Sequence, residues 1–115
     1  MTDSNWQQAF NNELDQALAA RKVGNEGRAR VCARRAVGIL IGEYLSQKGI
    51  TGYSDSALDR IKFLVDAPGI SQEIRDVAGY FLVRVEPDHS LPIDVDLISE
   101  AHWLEIKLLQ KEGEG

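Results

Sequence analysis

The chain has 115 residues, 43% of them hydrophobic and 27% charged, with a formal net charge of -5. That size and balance suit one globular domain, residues 1–115, able to bury a core without disulfides. A single cysteine, Cys32, excludes an internal disulfide and a cysteine-only metal site, and fits the reducing cytoplasm expected as its compartment. No apolar run reaches the roughly 18 residues of a membrane span, and the polar opening MTDSNWQQAF does not read as a signal peptide.

The first helix is predicted from about Ser4 to Val23. Trp6, Phe10, Leu14, Ala17 and Leu18 recur at steps of three and four, which lays them on one face. Gly24 and Asn25 end it, because both tolerate the left-handed conformation of a helix C-terminus. The second helix runs from about Glu26 to Gln47, and its back half, AVGILIGEYL, is apolar nearly all round, so it is expected to be the most buried element. KGITGYSDS is a loop from which Ser54 or Ser56 caps a third helix carrying Leu58, Ile61, Leu64 and Val65. After the turn APGIS, Ser71 opens a fourth helix to about Val85, with a stripe of Ile74, Val77, Ala78, Phe81, Leu82 and Val85. EPDHSLP interrupts, the prolines falling between helices as they should. The fifth helix, about Val95 to Leu109, is expected to bury Leu97, Ile98, Ala101, Leu104 and Leu108 before a frayed tail at 110–115. No segment alternates with period two for long, so the fold class is all-α: an antiparallel bundle of four or five helices.

Charge is uneven. Residues 1–60 hold eight Lys and Arg against seven Asp and Glu, and residues 61–115 hold five against eleven. The acidic balance opposes a general nucleic-acid coat protein, yet permits one basic patch. That patch would be Arg28, Arg30, Arg34 and Arg35 in EGRARVCARRA. Arg30 and Arg34, four apart, share one helix face, and Arg28 and Arg35, seven apart, share another. Guanidinium forks match phosphate oxygens, so RNA or another phosphate ligand is one reading. The other is a solvated helix face whose arginines pair with Glu13, Asp15, Glu26 or the acidic fifth helix. Gly38 and Gly42 make a low-relief strip, with Ile41 and Leu45 nearby, against which another helix of this chain or of a second copy can pack. Arg84 and His89 are the one catalytic pair the sequence offers: a histidine for proton transfer and an arginine to steady a phosphate. The bland reading of the pair is a helix-ending arginine and an ordinary loop histidine. His102 stands beside Trp103 without a second metal-binding partner at a useful spacing, so no metal and no cofactor are expected. Cys32 reads as a small apolar residue facing a helix interior.

In layout the chain resembles the HEPN family of small helical bundles. ARRAVGILIGEYLSQKG is similar to that family's long second helix, SDSALDRIKFLV to its third, and FLVRVEPDHSLP to the arginine-and-proline break of nucleotidyltransferase-associated members; ISEAHWLEIKLL is similar to the closing helix. The resemblance covers most of residues 8–110. It implies a dimeric bundle, acting either as a ribonuclease with an R-x(4–6)-H motif or as a non-catalytic partner of a nucleotidyltransferase or in a toxin–antitoxin pair. Arg84 and His89 match the bare motif, but Val85 stands where ribonuclease members carry a polar residue, and Pro87 intervenes. The expectation is therefore a non-catalytic, homodimeric protein-interaction module, with a metal-independent ribonuclease as the alternative. LDQALAARKVGNEGRARVCARRA also resembles a tetratricopeptide-type helical hairpin, the second choice of fold.

Overall fold

The computed structural model describes residues 5–83 and 95–109. Among these residues there are five helices: α1 (Asn5–Lys22), α2 (Glu26–Gln47), α3 (Ala57–Asp66), α4 (Gln72–Tyr80) and α5 (Leu97–Leu109). No strand occurs among the described residues. The protein is an all-α bundle.

Local chemistry sets the helix ends. At the end of α1, Gly24 takes φ 80°, the Asn25 amide donates to the Ala20 carbonyl (2.8 Å) and the Gly24 amide to that of Arg21 (3.0 Å). This paired closure satisfies carbonyls that the helix leaves open. The end of α2 repeats it: Gly49 takes φ 75°, the Ile50 amide donates to Leu45 (2.9 Å) and the Gly49 amide to Ser46 (3.0 Å). Side chains cap the starts. Asn25 accepts from the Arg28 amide, Ser56 from that of Asp59 and Ser71 from that of Ile74. Asp96 does the same for α5, accepting from the Ile98 amide at 3.1 Å.

The three-residue turn folds α1 back along α2, and α2 then meets α3 and α5 as well, so it is the central rod. Ten of its residues are buried, including Ala33, Ala36, Val37, Leu40 and Ile41 at zero exposure. Phe10, Leu14 and Ala17 of α1, Ile61 and Leu64 of α3, Val77 and Ala78 of α4 with Phe81 just after it, and Ala101 and Leu104 of α5 close around it. Burying a Leu, Ile or Phe side chain is worth about 1.5–3 kcal/mol each, which makes this shared core the chief source of stability. The tetratricopeptide alternative needs a repeated hairpin. The α3–α4 pair, with 10 and 9 residues against 18 and 22 in α1 and α2, does not restate the first one.

Four expectations are corrected. The fourth helix ends at Tyr80, not near Val85, because its backbone tightens: Phe81, Leu82 and Val83 donate to the carbonyls three residues back. Leu18 is 45% exposed, since the buried face of α1 passes through Ala17 and Ala20 instead. Leu58 is 43% exposed, because α3 turns Ala57 and Ile61 toward α2. Arg30 is buried and Arg34 half-buried, so the solvated arginine face is made by Arg28 and Arg35 alone.

Candidate functional site

The arginine stretch separates into two faces. Arg28 is exposed and donates to the Gln16 side chain at 3.1 Å; Arg35 is exposed too. Arg30 is 8% exposed. Arg34 turns inward, where its Nε donates to the Phe81 carbonyl at 3.0 Å, at the point where α4 stops. Burial, and after it the charge of Arg30, pulls the Arg34 guanidinium below its ordinary pKa. A guanidinium remains protonated at neutral pH all the same. These four side chains present no common guanidinium surface.

The remaining described arginines also tie the chain to itself. Arg21 holds Glu26 at 2.9 Å and Asp96 at 3.0 Å, joining the α1–α2 corner to the start of α5. Arg60 donates from Nε to the Ser54 carbonyl (2.9 Å) and from Nη1 to the Gly38 carbonyl (3.0 Å). Arg75 donates to the Ala67 carbonyl at 2.7 Å. Each uses its guanidinium to hold a backbone carbonyl or a carboxylate of another part of the fold.

Arg60 also settles what lies on the glycine strip. A Cβ on Gly38 would stand 2.6 Å from Cβ and 2.8 Å from Cα of Ala57, and one on Gly42 would meet the Arg60 guanidinium. Gly38, Ile41 and Leu45 are buried within the chain. The first turn of α3 therefore occupies the strip.

Arg84 and His89 lie outside the described residues, as does the tail at 110–115. His102 is exposed and sets its ring edge-on against Phe10, with centroids 6.1 Å apart. Among the described residues no group of three His, Cys, Asp or Glu could hold a metal ion. Cys32 has zero exposure. No helix among them is long and apolar enough to cross a membrane.

The lysines behave differently from the arginines. At the C-terminal end of α2 lies a cavity of about 510 Å³, walled by Tyr44, Lys48 and Ile50 on one side and by Phe63 and the Ala67–Gly69 turn on the other. A second cavity of about 350 Å³ shares Tyr44, Lys48 and Gly69 and reaches Ile74, Lys107 and Leu108. A third, of about 310 Å³, shares Phe63, Ala67 and Pro68 and adds Tyr53, Lys62 and Asp66. The three adjoin through these shared residues and together form a trough. Its volumes fall in the range of about 300–1,000 Å³ usual for binding clefts. The Arg75 bond to Ala67 and the closure of α2 at Gly49 and Ile50 fix its two walls.

No protein-family model, curated protein or solved structure matches this chain. The trough must therefore be read from its own chemistry. Sequence reasoning missed it because its lining comes from α2, α3, the α3–α4 turn and α5, with no local motif. The signal available was GITGY, an apolar and aromatic pair set just beyond a helix stop. A smaller cavity of about 260 Å³ lies over Gly38 and Ala57, but Glu13, Asp55, Arg35 and Arg60 line it, two charges of each sign.

Proposed function

We propose that this chain is a non-catalytic helical interaction module, HEPN-like in layout, whose partner sits in the trough at the C-terminal end of α2. One observation carries the reading. The trough is an apolar cleft rimmed by lysines, while the arginines that suggested a phosphate site are engaged inside the fold or split between two faces. Interaction surfaces have this anatomy, an apolar floor with a polar rim. Because α3 fills the Gly38–Gly42 strip, any association of two copies uses another face. The resemblance supplies a class of partner, a nucleotidyltransferase or the second component of a toxin–antitoxin pair.

The rival reading is ribonuclease activity through Arg84 and His89. Purified wild-type protein and His89→Ala are incubated with structured and single-stranded RNA, and the products are resolved on denaturing gels. Neither protein is expected to cleave. Cleavage by the wild type that disappears in His89→Ala would overturn the non-catalytic module.

A further inference from the structure

The module reading leaves the occupant of the trough open, and the inference here rests on that reading. Of the four described lysines, Lys48, Lys62 and Lys107 line the trough and Lys22 does not. Among the described residues no arginine lines it, and Asp66 is the one carboxylate that does. Its described lining thus carries three positive charges against one negative, on a chain whose formal net charge is -5. None of these lysines forms an ion pair with a described residue; Lys48 lies 5.6 Å above the Tyr44 ring and Lys107 5.6 Å above that of Trp103. Between the lysines the lining is mainly apolar, with Ile50 38% exposed, Tyr53 41% exposed, and Phe63, Ile70 and Ile74 half-buried, while Gln47 and Ser71 add uncharged polar groups.

We infer that the trough binds an acidic amphipathic peptide segment of a protein partner, with aliphatic side chains against Ile50, Phe63 and Pro68 and carboxylates toward Lys48, Lys62 and Lys107. Three adjoining cavities with shared lining residues offer room for a peptide helix laid in a groove. The concentration of unpaired ammonium groups on an acidic body supplies charge complementarity, which steers and selects such a partner. A second copy is disfavoured here, because a two-fold contact through the trough sets each lysine cluster against its own image. Single-stranded RNA is also disfavoured. Bases need open ring faces, and here Lys48 lies over Tyr44 while Tyr53 and Phe63 pack edge-on at 5.2 Å.

The test uses two fluorescein-labelled peptides of about 14 residues, roughly four helical turns, with the same leucine stripe and either Glu or Lys on the polar face. Fluorescence anisotropy is measured with the full chain, alongside oligouridylate of about 12 nucleotides. The acidic peptide is expected to bind and its basic twin not to, with affinity falling as salt rises past about 0.15 M. Lys62→Glu and Lys107→Glu are each expected to weaken binding about tenfold, since each removes an attraction and adds a repulsion. Lys22→Glu changes net charge equally but lies outside the trough, and should leave affinity unchanged. Circular dichroism checks each variant's fold, and Lys62→Gln serves as a milder form. Absence of binding by the acidic peptide, equal binding of both peptides, an equal loss in Lys22→Glu, or tighter binding of oligouridylate each overturns the proposal. RNA cleavage dependent on His89 overturns the module reading itself, whichever peptide binds.

Discussion

Alanine at position 38 and alanine at position 79 should move stability in opposite directions, though both replace a helical glycine. In an exposed helix interior the change from glycine to alanine gains up to about 1 kcal/mol, because glycine loses more backbone freedom on folding. At Gly79 an added Cβ meets nothing within 4 Å. Gly79→Ala should therefore stabilise by about 0.5–1 kcal/mol, the lower part of the range reflecting its place in the last turn of α4. At Gly38 the same methyl would stand 2.6 Å from Cβ and 2.8 Å from Cα of Ala57. Carbon atoms rest about 3.5–4.0 Å apart, so the start of α3 must retreat by roughly 1 Å. Overpacking of that kind costs about 1–3 kcal/mol. The retreat also stretches the Arg60 bond to the Gly38 carbonyl, now 3.0 Å. Such a bond contributes about 0.5–1.5 kcal/mol. Set against the propensity gain, Gly38→Ala should destabilise by about 1–3 kcal/mol.

Urea unfolding followed by circular dichroism separates the two. The midpoint should rise by roughly 0.5 M for Gly79→Ala and fall by about 0.5–2 M for Gly38→Ala, at unchanged slope. Adding Ala57→Gly to Gly38→Ala removes one of the two crowded atoms and should recover part of the loss, a coupling expected only of residues in contact. A Gly38→Ala protein as stable as the wild type would refute the reasoning, for the strip would then be open to solvent or to another chain.

Two further outcomes can be checked directly. Cys32, at zero exposure, should resist a thiol reagent such as Ellman's in native buffer and react in urea in step with unfolding; prompt labelling of folded protein would show that α2 does not lie where described. At Asp96, burial pushes the carboxyl pKa up, but the hydrogen bond and charge of Arg21, with the bonds from Ser99, outweigh it and hold the net value below the ordinary 3.8. A depressed folded pKa contributes stability above the unfolded value and loses it as pH falls through the folded one. Asp96→Asn keeps a capping oxygen and loses the charge, so its deficit should be small, within about 0–1 kcal/mol for so exposed a pair, present at pH 7 and lost as the pH falls through the depressed folded pKa of Asp96. A deficit that persisted at acid pH would mean that the Arg21 pair is not its source.

Helix placement was largely legible because the stop and start signals are local. Gly24, Asn25 and the KGITG stretch bracket α2 at Glu26 and Gln47, and Ser56 and Ser71 cap the helices that follow them. The end of α4 was not legible, because the tightening at Phe81 coincides with a bond from Arg34, 47 residues earlier. The burial of Arg30 did leave a trace. It stands three and seven residues before Ala33 and Val37, both at zero exposure, and so extends the core stripe of α2 by one turn. Composition outweighed that spacing, since arginine is usually at the surface. The trough left less, because residues from separate elements meet there only after folding.

The division of labour between the two cations follows from their chemistry. A guanidinium offers five donors in a rigid plane and is weakly hydrated, so it can reach a backbone carbonyl in a half-buried place and stay charged. Arg34, Arg60 and Arg75 do this at the Phe81, Gly38 and Ala67 carbonyls. An ammonium is compact, strongly hydrated and held on a flexible stem, so it favours open water and a partner that can adapt to it. Lys48, Lys62 and Lys107 are exposed around the trough. The arginines brace the bundle and the wall of the cleft, while the lysines keep their charge available at its rim. Exchanging Lys62 for arginine keeps the charge and should preserve binding of an acidic peptide. Exchanging Arg75 for lysine removes the rigid fork at the Ala67 carbonyl, and should loosen the cleft wall without changing its charge.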